Sequence, residues 1–346
     1  MGEENIFGII DYCLFAGLLI ISGGIGLYFS YIGSKSPEEY LMGNRSLKPL
    51  PVAMSLLTTY VSATSILGVS GEVYANGMQL WSLALGGPVG ILFASYFVLP
   101  VLYPLRLTSI NEYIELRFKS KKLRLAIFLA LLTNVMIMSG LSLYAPTLAI
   151  SSITKLNSLT NILLLGIICT IYSSFGGIKA VIWTDVFQLI VMVIGLITIV
   201  AIGIAQNGGF IEVLHTASQR GRLEIFDMSL SPFVKYTFVN SFLFGFFAQL
   251  RKHIMEQSCI QRLCSVQSID KSRSVLNLHI AGKCIIYFLI FTGGLVCYVT
   301  YAGCDPMTMG IIKKKEQILS YFVMNKLNIF PGIPGLFVAT LMAGSL

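Results

Sequence analysis

The chain has 346 residues, 55% of them hydrophobic and only 12% charged, with a formal net charge of +8 and a mean hydropathy of +0.79. Soluble domains carry about 25% charged residues, so this composition excludes a large soluble core and points to an all-α polytopic membrane protein. The basic excess needs no nucleic-acid partner, because membrane topology accounts for it.

A bilayer-spanning helix needs roughly 20 mostly apolar residues. Nine such windows run along a single transmembrane domain, 1–346: 7–32, 50–76, 81–104, 124–152, 159–176, 180–206, 236–258, 275–302 and a partial one at 333–346. The acidic start Met-Gly-Glu-Glu-Asn is unlike a secretory signal, and Ile6 breaks the myristoylation pattern. With the N-terminus outside, the inner loops hold 13 Lys and Arg and the longer outer loops hold 8, while Arg251, Lys252 and Lys283 fall inside apolar windows. The loops 207–235 and 303–332 are then extracellular.

The first window carries Gly17, Gly23, Gly24 and Gly26, as close helix packing requires. Asp11, near its outer end, is expected to be a solvated terminus. The second window holds TTYVSATSILGVSGE, with hydroxyls at Ser62, Thr64, Ser65 and Ser70, glycines at 68 and 71, and Glu72. Broken backbone at membrane depth is tolerated only where it lines a cavity or is buried in protein, and freed carbonyls there suit a hard cation. In the inner loop RLTSINEYIELRFKSKKLR, Ser109 and Glu112 predict a capping box, followed by a helix lying on the inner leaflet.

Tyr144 stands two residues before Pro146 in the fourth window, where the proline frees a carbonyl one turn earlier. GGIKAVIWTDVFQ places Asp185 and Gln188 on one face about a turn into a membrane helix, and an intramembrane carboxylate reads as functional. AQLRKHIMEQSCIQRL puts Arg251, Lys252 and His253 at membrane depth, so either a water-filled vestibule receives them or the helix ends early. His215, His253 and His279 are scattered, and the seven cysteines form neither a disulfide framework nor a zinc site. Residues 317–326 predict a short amphipathic helix.

Taken together, GGIKAVIWTDVFQ, LRLTSINEYIELRF, SLYAPTLAI, GCDPMTMG and PGLFVATL make the chain from about Pro37 onward resemble the sodium/solute symporter family, in particular its iodide, monocarboxylate and multivitamin branch. The resemblance implies a LeuT-type inverted-repeat core with one extra N-terminal helix, in which Thr58–Glu72 is unwound. It implies sodium (Na+) as coupling ion, with Ser62, Ser65, Asp185 and Gly344 as its ligands, and Tyr60, Thr64, Val69, Tyr144, Gln188 and Gln257 around the substrate pocket. Such a set of hydroxyl, carbonyl and carboxylate oxygens suits a hard cation. Gln257, Gln261 and Arg262 fit the family pattern, whereas Glu256 stands where the family has Asn. The chain stops at Gly344-Ser345-Leu346, before two hydroxyl residues that the family pattern places next, so the second repeat is incomplete and coupled transport by this chain is not expected.

The leading reading is a sodium-coupled symporter of the plasma membrane that imports a small anion (a monocarboxylate, a vitamin or iodide) by alternating access. The alternative is a non-transporting membrane solute sensor or a regulatory truncated isoform. An enzyme is excluded: the chain offers no nucleophile–base pair, metal cluster or phosphate loop, and GGIGLY at 23–28 lacks a strand–turn–helix context.

Overall fold

The computed structural model describes residues 8–33, 35–154, 158–231 and 233–344. They form helices and connecting turns, and no strand occurs among them. Helix α1 (Ile9–Ile32) is followed by the short α2 (Pro37–Met42), then by α3 (Pro49–Tyr60) and α4 (Ala63–Asn76), which divide the second apolar window at Val61–Ser62. Helix α5 (Ser82–Phe93) continues through a π-type turn into α6 (Leu99–Leu102); α7 (Ile110–Phe118) leads to α8 (Lys121–Thr154) and α9 (Ser158–Gln206). Next come α10 (Phe210–Gln219), α11 (Phe238–Met255), α12 (Gln257–Leu263), α13 (Ile269–Thr300), α14 (Ile318–Phe322) and α15 (Ile333–Ala343).

Among the described residues, five helical stretches are long and apolar enough to cross a membrane: Ile9–Ile32, Ala63–Leu105, Lys121–Leu143, Gly176–Gln206 and Ile269–Thr300. Helix α9 is bent at Gly177, whose φ of 61° and ψ of −166° suit glycine, and a Cβ there would lie 2.9 Å from Tyr40. The bend falls between the two windows expected at 159–176 and 180–206. Helix α11 does not end before its charges. It runs through Arg251, Lys252 and His253 and breaks only at Glu256, whose φ and ψ of −80° and 116° are extended. Two interrupted helices, α3–α4 and α11–α12, therefore stand in the bundle.

The core is an apolar cluster that includes Ile66, Val73, Met192, Ile199, Phe322 and Phe337, from α4, α9, α14 and α15. Around it, α1 packs on α9 and α15, α3 on α9 and α13, and α5 along α11. The loops assigned to the inside gather at one end: Leu47 N–H donates to the Ser265 carbonyl at 3.2 Å, and the Tyr103 hydroxyl donates to the Val266 carbonyl at 2.8 Å. Those assigned to the outside gather at the other. Trp81 Nε1 donates to the Ile225 carbonyl at 3.0 Å, Arg220 donates to the Ala302 carbonyl at 2.5 Å, and Lys315 pairs with Glu72.

Two local expectations are corrected. Asp11 is not solvated; it is 3% exposed and accepts the Gly335 N–H at 2.7 Å. The first N–H groups of α15 have no partner within their own helix, and the positive end of the helix dipole favours a carboxylate there. Ser109 does cap α7, but it accepts the Asn111 N–H at 3.2 Å, and no hydrogen bond returns from Glu112.

Candidate ion and solute site

The break between α3 and α4 follows from its residues. Leu57 is the last residue of α3 whose carbonyl receives a backbone N–H across the break, from Val61 at 2.9 Å. Ser62 then turns extended, with φ −82° and ψ 163°, and caps α4 by accepting the Ser65 N–H at 3.3 Å. Its Oγ lies 2.6 Å from Thr64 Oγ1 and 3.2 Å from Ser65 Oγ, so three hydroxyls meet in one turn. The C-terminus of α15 comes down onto this turn. A Cβ on Gly344 would lie 2.9 Å from the Val61 carbonyl oxygen and 3.1 Å from the Ala63 nitrogen. Two helix C-termini, those of α3 and α15, thus bring partial negative charge to one cluster of hydroxyl oxygens. Such an arrangement suits a small hard cation.

Asp185 lies elsewhere. It is buried, and its Oδ2 accepts from Arg262 Nη2 at 2.9 Å and from the Ser55 hydroxyl. Arg262 Nε donates to Ser55 Oγ at 2.6 Å, and Thr58 Oγ1 donates to the Asp185 carbonyl at 2.9 Å. This network joins α3, α9 and α12 at the level of Ser55–Thr58, before the break. Of the four residues expected to ligate sodium, Ser62, Ser65 and Gly344 are brought together, and Asp185 is placed in the ion pair.

Gln188, one turn beyond Asp185 on α9, is fully buried, and neither its Oε1 nor its Nε2 has a hydrogen-bond partner. Helices α3 and α9 run in the same direction from the end that carries Glu39, since Lys179 pairs with Glu39 at 2.7 Å and Asp185 is level with Ser55 and Thr58. Three further residues rise about 4.5 Å and bring Gln188 close to the level of the break. Thr64 is exposed, and Val69 packs against the core. Gln257 spends both ends of its amide on the inner loop, donating to the Thr108 carbonyl at 2.6 Å and accepting the Ile110 N–H at 3.0 Å. The side chain of Tyr144 lies outside the described residues.

Tyr60 faces α11 and α13. Its ring centroid is 5.6 Å from that of His253 and 5.7 Å from that of His279, and Lys252 Nζ lies 4.7 Å from it. His253, His279 and Lys283 were missed as site residues because each is unremarkable on its own helix and only packing unites them. A signal did exist for Lys283, a lone charge inside an apolar window. Glu72 is tied at the opposite end of the bundle, paired with Lys315 and accepting from Asn76 Nδ2 at 2.5 Å.

These features define a multi-pass membrane protein with interrupted helices at its centre. The sodium:solute symporter family matches residues 40–346, and the chain belongs to that family. It is 38% identical over 338 residues to the sodium-coupled monocarboxylate transporter 2 of Danio rerio, covering 97% of this chain and 54% of that protein. It is 38% identical over 346 residues to the sodium-dependent multivitamin transporter of Oryctolagus cuniculus, covering 99% and 54%, and 35% identical over 347 residues to the sodium/iodide cotransporter of Homo sapiens, covering 100% and 54%. The chain spans about half the length of the curated relatives it matches. A substrate-bound, outward-open Na+-coupled sialic acid symporter superposes with a TM-score of 0.85 at 24% identity, over 98% of this chain and 70% of that one. That likeness gives the fold, which is LeuT-type.

Proposed function

We propose that this protein is part or all of a sodium-coupled symporter that carries a small anion inward across the plasma membrane. The observation that carries the reading is the break at Val61–Ser62. Hydroxyls of Ser62, Thr64 and Ser65 gather there, and the carboxyl end of α15 arrives at Gly344. Sodium, as cargo, would be held by Ser62, Ser65 and backbone oxygens of Val61 and the α15 terminus, with the buried Gln188 amide close to that level. Asp185 would act by fixing α3, α9 and α12 around that site through Arg262. Monocarboxylate, vitamin and iodide carriers among the relatives support a small anion as solute. Each sodium charge that enters down the membrane potential contributes about 2.3 kcal/mol per 100 mV.

The test is equilibrium binding of labelled acetate, biotin and iodide to membranes from cells expressing the protein, with sodium exchanged for choline. Saturable binding of at least one solute that falls in choline and in the S62A/S65A variant is the expected result. Binding that is indifferent to sodium would overturn the reading.

A further inference from the structure

Helices α7 and α8 enclose a cavity of about 600 Å³ where they meet, a size that receives a small organic group. Part of its lining is polar. Asn111 and Glu115 come from α7, and Lys121 and Arg124 come from the first turn of α8. Arg124 pairs with Glu115, whereas Lys121 has no carboxylate partner among the described residues. The Asn111 Oδ1 atom is buried and has no hydrogen-bond partner. The rest of the lining is apolar and comes from Leu125 and Phe128, which are exposed, as is Leu132. Lys121, Leu125, Phe128 and Leu132 stand at i, i+4, i+7 and i+11, on one face of α8. An apolar stripe therefore leads from the cavity along the helix.

The place of this corner says what it meets. Lys121–Leu143 is long and apolar enough to cross a membrane, and none of its residues is buried. The first turn of α8, and the cavity with it, then lies where the apolar core of a membrane gives way to headgroups. Between residues 106 and 124 the chain carries six Lys and Arg against two carboxylates. Positive charge at the membrane surface, beside an exposed apolar stripe, matches an amphiphile with a negative head. A soluble anion would leave the stripe uncovered, and a zwitterionic head would leave the charge unbalanced. Buried polar atoms are almost always paired, and a headgroup hydroxyl supplies the donor that Asn111 Oδ1 lacks.

We propose that the α7–α8 corner binds an anionic phospholipid with a hydroxyl-bearing headgroup. Its phosphate lies between Lys121 and Arg124, a headgroup hydroxyl donates to Asn111, and an acyl chain follows Leu125, Phe128 and Leu132. The site shares no residue with the hydroxyl cluster at Ser62 or the ion pair at Asp185, and it does not depend on the symport reading. A lipid there braces α7, which Gln257 already ties to α12 through Thr108 and Ile110.

The experiment is native mass spectrometry of the protein purified in mild detergent, titrated separately with phosphatidylinositol, phosphatidylcholine and soluble inositol phosphate. The wild type is compared with K121Q/R124Q, K119Q/K122Q and N111L. The wild type binds phosphatidylinositol saturably, and the other two probes at least about tenfold more weakly. K121Q/R124Q weakens phosphatidylinositol about thirtyfold, about fivefold for each cation removed beside an anionic lipid. K119Q/K122Q takes the same charge from residues that do not line the cavity, and weakens it less than about threefold. N111L weakens it about fivefold, as loss of one hydrogen bond does. The Arg124–Glu115 pair is partly exposed and worth little, so K121Q/R124Q melts within about 2 °C of wild type without lipid. Equal losses in the two double variants reduce the effect to diffuse surface charge and overturn the cavity. Phosphatidylcholine or soluble inositol phosphate binding as tightly as phosphatidylinositol overturns the anionic lipid, and unchanged affinity in N111L overturns the hydroxyl contact. No saturable binding of phosphatidylinositol overturns the site.

Discussion

The ion pair between Asp185 and Arg262 gives the sharpest prediction about stability. Both side chains are only 10% exposed, they meet at 2.9 Å, and Ser55 bonds to each. Arg262→Met removes the guanidinium and leaves a buried carboxylate with the Ser55 hydroxyl as its one side-chain partner. Breaking one side of a buried pair costs about 3–5 kcal/mol, whereas replacing both partners with apolar groups is often neutral. At about 2 °C per kcal/mol, the shift usual for large domains, R262M should melt about 6–10 °C lower. The D185L/R262M double variant should recover most of that loss, because groups in contact are not additive. Melting of the detergent-purified protein at one fixed scan rate reads both numbers. The loss should be equal in sodium and in choline, since the pair is structural and lies before the break. A fall of less than about 2 °C for R262M, or additive losses in the double variant, would refute the argument. A loss confined to sodium would return Asp185 to the ion site.

Further outcomes follow from contacts elsewhere. Gly344→Val sets side-chain atoms against the Val61 carbonyl, 2.9 Å from where a Cβ would stand; overpacking of this kind costs about 1–3 kcal/mol, and the variant should lose its response to sodium as well as melt lower. The carboxyl of Glu39 is held below its ordinary pKa by the Lys179 ammonium at 2.7 Å and by the Lys35 N–H at 3.0 Å. Its stabilisation is therefore present above the unfolded carboxylate value of about 4.3 and is lost as pH falls through the lower folded value. In Lys179→Met most of this contribution is gone, so the variant should melt below wild type above about pH 4.3 and the gap should narrow as the pH falls further; a gap that stays the same across the acid limb would contradict the assignment.

What could be read in the sequence was local. Clustered hydroxyls and glycines inside an apolar run pointed to an interruption, but of the expected unwound stretch Thr58–Glu72 only Val61–Ser62 leaves the helix, and the windows at 159–176 and 180–206 became one helix bent at Gly177. Asp11 was misjudged because a carboxylate near a window's end looks solvated, and its partner Gly335 is 324 residues away. The charges at Arg251–His253 looked too costly for a membrane helix. They are accommodated by three devices invisible in the sequence: pairing of Arg251 with Glu256, stacking of Lys252 on Tyr60, and a hydrogen bond from His253 to its own helix. The same packing turns two isolated histidines and a lysine into a basic cluster. Helical periodicity shows which side of a helix a residue occupies, but not which helix will face it.

The central claim is that the break at Ser62 holds sodium. Its most direct measurement is the melting temperature of the purified protein as sodium replaces choline at constant ionic strength, for the wild type and for S62A/S65A. A ligand present at 100 times its dissociation constant stabilises by about 2.7 kcal/mol. The account predicts a saturable rise of several degrees in the wild type and none in the variant. A wild type that melts at the same temperature in both salts, or a variant that responds to sodium as the wild type does, would contradict it.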